Sequence, residues 1–74
     1  MVMRKIKMNE LTTIYIFAEK ARAVDGDVIL HKGHFSVDGK SLLGIMSLDM
    51  TDGVVVEYPT DAIDFENFVK EFEV

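Results

Sequence analysis

The chain has 74 residues, 49% of them hydrophobic, with 13 acidic against 8 basic residues and a net charge of −5. That length makes one domain, spanning residues 1–74, with a core just large enough to fold without staples, and the acidic balance argues against direct nucleic-acid binding by bulk electrostatics. The absence of cysteine excludes a disulfide framework and a thiolate metal site and suits a reducing cytoplasm.

Arg4 to Met8 alternates, with Ile6 and Met8 on one face, and reads as a short strand. Met1 to Met8 carries basic residues but no apolar run of signal-peptide length, and no segment approaches a membrane span. Asn9 offers an N-cap. From Leu11 the signals divide: Thr12, Thr13, Ile14, Tyr15 and Ile16 favour a strand by propensity, whereas Ile14, Phe17, Ala18, Ala21 and Val24 recur at helical spacing. A helix from Glu10 to Ala23 is the expectation once the family resemblance described below is added.

Asp25-Gly26 ends that helix. Asp27 to His31 and His34 to Asp38 read as two strands around a Lys32-Gly33 turn. Ser41 then opens a short helix that is too apolar for its length. At about 100° per residue, the apolar positions from Leu42 to Met50 cover roughly 220° of a helical wheel, more than one buried face needs. Ile45 and Leu48 point toward a core, and Leu42, Leu43 and Met46 form a second cluster about 140° away. Gly53 to Tyr58 is the next strand, stopped by Pro59. Thr60 and Asp61 offer caps for a last helix whose Phe65, Phe68, Val69 and Phe72 make a core stripe. The expected core is Ile6, Phe17, Ala21, Val28, Leu48, Val55, Phe65 and Phe68, with Leu42 and Met46 left substantially exposed.

The stretch Gly39-Lys-Ser-Leu-Leu-Gly-Ile-Met-Ser-Leu48 resembles the regulatory-serine segment of the histidine-containing phosphocarrier (HPr) family of the bacterial sugar phosphotransferase system, most closely its catabolite-repression paralogs. Phe17, Ala21, Val28, Ser36, Lys40, Ser41, Leu42, Ser47, Leu48, Gly53 and Val55 fall in that family's register without a gap from about Asn9 to Val56. The resemblance implies an α+β fold, an HPr-like open-faced β-sandwich with three helices on one face of a four-stranded antiparallel sheet. It also implies phosphorylation of Ser41 by HPr kinase/phosphorylase. Lys40, Leu42, Leu43 and Met46 would form a surface that meets this kinase and a transcriptional regulator of carbon catabolite repression.

One departure matters most. The family's phosphorylatable histidine opens the first helix in a His-x-Arg-Pro pattern, and the register puts Glu10-Leu11-Thr12-Thr13 there. A carboxylate does not relay phosphate as an imidazole nitrogen does, and the guanidinium that would hold the phosphoryl oxygens is gone. Glu10 is instead expected to complement the positive end of the helix. His31 and His34 do not replace the lost residue and read as hairpin surface side chains, too few for a metal site. Gly33 to Ser41 superficially suggests a phosphate-binding P-loop, but five residues separate its glycines where the motif has four.

No group of nucleophile, base and orienter stands out in the sequence, so no enzymatic activity, cofactor or small-molecule substrate is expected. The leading expectation is a cytoplasmic, noncatalytic regulatory protein acting through Ser41 phosphorylation and protein binding. The alternatives are a histidine-type phosphocarrier, disfavoured by Glu10, and a degenerate HPr-like interaction module.

Overall fold

The structure, a computed structural model, describes residues 1–74. Its elements run β1 (Val2–Ile6), α1 (Leu11–Arg22), β2 (Ile29–Lys32), β3 (Phe35–Asp38), α2 (Leu42–Met46), a 3-10 turn (Met50–Asp52), β4 (Val54–Tyr58) and α3 (Ile63–Lys70). The strands form one antiparallel sheet in the order β1-β4-β2-β3. The three helices cover one face, as the α+β expectation holds, and the other face stays open.

Apolar periodicity in α1 outweighs the strand propensity of its first turns, because Phe17, Ala18 and Ala21 are buried on one side. Lys20 and Arg22 in its last turn complement the negative helix end. Asn9 does not cap this helix. The cap position is Glu10, without a side-chain bond. Thr60 and Asp61 likewise do not cap α3, whose cap position is Ala62; its N-terminal charge complement comes from Asp64 and Glu66 in the first turn.

The β2–β3 hairpin turns one residue later than expected. Lys32 pairs with Phe35, leaving Gly33-His34 as the loop. Gly33 has φ of 59° and His34 does not share a positive φ, which suits the type II′ geometry that takes glycine first. At the other end of β3, Gly39 donates to the Val28 carbonyl at 2.7 Å. A Cβ there would lie 2.6 Å from the Val28 side chain, so only glycine allows the chain to pass this close to α1's exit loop.

The core joins Ile6, Phe17, Ala21, Val28, Leu30, Ile45, Val54, Val56, Tyr58, Phe65 and Val69. Three of the expected members differ. Val55 is only half-buried and lies outside this cluster, because the pleat sends Val54, Val56 and Tyr58 to the helix side and Val55 to the open face. Leu48 and Phe68 are partly buried and pack against the core from its margin; α2 ends at Met46, and Met50 in the 3-10 turn fills the interior instead. Phe17 is the hub of the aromatic packing. Its ring meets Phe65 edge-on at 5.4 Å and lies 6.4 Å from Phe68, while Phe65 also meets Tyr58 at 5.2 Å.

Arg4 locks β1 to α3. Its guanidinium donates to the Tyr58 hydroxyl at 2.9 Å, to Glu73 at 2.9 Å and to Glu66 at 3.1 Å. The C-terminal residues also cover the outer edge of β1, with Val74 donating to the Lys5 carbonyl and Lys7 to that of Phe72. The Arg4 hydrogen bond, more than any other influence, holds the Glu66 carboxyl below the usual carboxylate range. A depressed carboxylate contributes stability that is present above its unfolded pKa and lost as pH falls through the folded value. The melting-temperature difference between the protein and Arg4→Met is therefore expected to be largest at neutral pH and to shrink on acidification. Calorimetry across a pH series measures it, and a pH-independent difference would contradict the assignment.

Candidate functional site

The residues that place Ser41 come from the end of β3. The Asp38 carboxylate accepts the Lys40 N–H at 2.9 Å, and the Asp38 carbonyl accepts that of Ser41 at 3.1 Å. This turn leaves Ser41 extended (φ −96°, ψ 115°) at the N-cap of α2, where its Oγ accepts the Gly44 N–H at 3.2 Å. The capping role expected of this hydroxyl is present. Gly44 lies against β3, with the Asp38 carbonyl and Val37 Cβ within 3.3 and 3.4 Å of where its own Cβ would be.

That close seat decides which α2 side chains face outward. Ile45 is buried, and Leu42, one turn earlier on the same side, packs partly buried against the core. Leu43 and Met46 share the opposite side and are 84% and 49% exposed. The expected cluster of Leu42, Leu43 and Met46 thus divides: Met46 and Leu43 form the outward pair, and Leu42 is less exposed than the helical wheel suggested. Lys40 is half-buried and donates through Nζ to the Val24 carbonyl at 2.8 Å, tying the exit of α1 to the entrance of α2.

Glu10 is exposed at the N-cap of α1, in extended conformation, and its carbonyl accepts the Ile14 N–H at 3.2 Å. It stands just before the first turn rather than within it, with Leu11, Thr12 and Thr13 following. On the outer side of α1, Leu11 and Tyr15 are exposed one turn apart, and α1 packs against α2. These two apolar side chains escaped the sequence reading; their signal is that they fall off the buried stripe of Phe17, Ala18 and Ala21.

A family model described as the PTS HPr component phosphorylation site matches residues 13–73. The chain belongs to the HPr family. In this HPr-like domain the match begins at Thr13, the last of the four positions, Glu10 to Thr13, that stand where the family has His-x-Arg-Pro. Its fold is that of a phosphocarrier protein HPr from Bacillus anthracis, with TM-score 0.71 and 21% identity over 97% of this chain and 96% of that one. An HPr protein from Thermoanaerobacter tengcongensis, described as HPr-C-His, superposes with TM-score 0.77 at 20% identity over 96% of this chain and 93% of the other. No curated protein matches the sequence.

The two histidines have different settings. His34 is exposed in the β2–β3 turn, as expected. His31 is half-buried on the open face of the sheet and is not a free surface side chain: its ring nitrogens are 2.8 Å from Ser36 Oγ and 2.9 Å from Glu57 Oε1. The difference arises because β4, distant in sequence, lies beside β2 and brings Glu57 within reach. No helix is long and apolar enough to cross a membrane.

Proposed function

We propose that this HPr-family domain is a noncatalytic regulatory protein of the sugar phosphotransferase and carbon catabolite control system. It acts in the cytoplasm through phosphorylation of Ser41 and through protein binding. The observation that carries the reading is the placement of the Ser41 hydroxyl at the entrance of α2, beside the outward Leu43 and Met46. Phosphorylation there adds nearly two negative charges and strong acceptor oxygens to a surface that otherwise offers apolar contact. A partner can then read charge and apolar surface together. HPr kinase/phosphorylase and a transcriptional regulator, by resemblance, are the partners proposed, so the effect on DNA occupancy needs no DNA contact by this acidic chain.

With HPr kinase and ATP, phosphate is expected on Ser41 and not on Ser36 or Ser47, as mass-spectrometric mapping would establish. Ser41→Ala abolishes the modification and, by removing the cap to Gly44, costs about 0.5–2 kcal/mol of stability. Met46→Ala leaves the fold intact, because the side chain is half-exposed, but weakens kinase or regulator binding in a titration. Absence of phosphate on Ser41 under conditions that modify a known family member would favour an unmodified interaction module. Undiminished binding by Met46→Ala would remove the α2 surface from the proposal.

A further inference from the structure

The open face of the sheet holds a second group of polar side chains, remote from α2 in its construction. Ser36 on β3, His31 on β2 and Glu57 on β4 form a continuous hydrogen-bonded row, Oγ to Nδ1 at 2.8 Å and Nε2 to Oε1 at 2.9 Å. We propose that this row is a nucleophilic site in which Ser36 accepts an acyl group from a neutral carboxylic ester, with His31 as its base.

The strand pairing builds the row. His31 stands directly opposite Ser36, and Gly39 donating to Val28 sets the alternation of this antiparallel ladder. His31 and Ser36 therefore fall at a pair without mutual backbone bonds, where facing side chains approach most closely. Glu57 reaches the other ring nitrogen diagonally from β4, whose neighbour across β2 is Ile29. An ionised Glu57 accepts, so the neutral imidazole carries its proton on Nε2 and leaves the Nδ1 lone pair toward the serine hydroxyl. Nucleophile, base and orienter are thus in hydrogen-bond reach of one another, the arrangement that activates a serine.

The surroundings favour access. Ser36 is exposed, and it borders a surface depression of about 310 Å³ shared with Val28, Ile29 and Val37 and flanked by Asp27 and Asp38. The two carboxylates disfavour an anionic donor, and Ile29, on the same open face as His31 and Ser36, offers apolar contact to a small acyl group. Because β3 is an edge strand, the same ladder alternation turns the Ser36 N–H away from β2, where it can donate to a carbonyl oxygen gaining charge. In the step, Ser36 Oγ bonds to the acyl carbon while its proton passes to His31 Nδ1. The ester C–O bond then breaks, and the proton moves from His31 to the departing oxygen.

p-Nitrophenyl acetate tests the site in the intact protein. Release of p-nitrophenolate with an acetyl group mapped to Ser36 is expected, about 100-fold faster than at Ser47, an exposed hydroxyl with no histidine partner. Ser36→Ala removes the adduct, and His31→Gln reduces Ser36 acylation to the Ser47 rate while leaving the Ser47 rate and the circular-dichroism spectrum of the folded protein unchanged. Imidazole 15N spectra should place the His31 proton on Nε2, and Glu57→Leu should mix the two tautomers and slow acylation. Equal acetylation of Ser36 and Ser47, or a Ser36 rate indifferent to His31→Gln, overturns the proposal.

Discussion

Incubated with phosphotransferase enzyme I and phosphoenolpyruvate, this protein is expected to take up no acid-labile phosphate. The position that opens α1 is Glu10, exposed and extended at the N-cap, and the positions in the first turn of α1 that the family fills with arginine and proline are Thr12 and Thr13. No imidazole is available there to accept the phosphoryl group, and no guanidinium to bind its oxygens in a fork. His31 is no substitute, since both of its ring nitrogens are engaged with Ser36 and Glu57 on the open face of the sheet. The effect is all or none, read as acid-labile 32P on the protein against an authentic carrier in the same reaction. Stoichiometric histidine phosphate would reinstate the carrier reading and displace the regulatory one.

Phe17→Ala is expected to cost about 3–5 kcal/mol, the usual penalty for emptying a large aromatic site in a packed core. Phe17 is fully buried, and its ring is the element through which α1 meets the Phe65 and Phe68 rings of α3. At 74 residues the total stability is on the order of 4–11 kcal/mol. The variant therefore loses from roughly a quarter to all of it, and urea unfolding followed by circular dichroism gives the difference. Leu43→Ala, by contrast, touches a side chain that is mostly in water and should leave the urea midpoint nearly unchanged. A Phe17→Ala loss below about 1 kcal/mol would mean that the aromatic cluster relaxes into the space, contrary to the close packing of protein interiors.

Ser41, the residue on which the regulatory reading rests, was legible before any coordinates because capping is local. A hydroxyl ahead of a short apolar run needs only the next few residues to find its amide partner, and Gly44 supplies it. The outward pair on α2 was half legible. A wheel groups Leu42 with Leu43 and Met46, and only the seat of Gly44 against Val37 and Asp38 turns Leu42 with Ile45 toward the core, leaving Leu43 and Met46 outside. The asymmetry comes from a neighbouring strand, which no helical period contains.

By itself the sequence determined the order of strands and helices, the helical stripe of α1 and α3 and the missing histidine pattern. Each of these depends on residues within one or two turns of one another or on a short motif. Tertiary structure alone decided the strand order β1-β4-β2-β3 and the pleat phase of Val54-Val55-Val56, a run whose identical side chains carry no alternation to read. It also decided two polar clusters. Arg4 meets Tyr58, and His31 meets Glu57, only because β4 is inserted between β1 and β2, and Arg4 reaches Glu66 and Glu73 only because α3 and the C-terminal residues pack beside β1. Cross-strand register links residues far apart in the chain, and the free energy that selects it is shared over the whole buried face rather than written in any local segment.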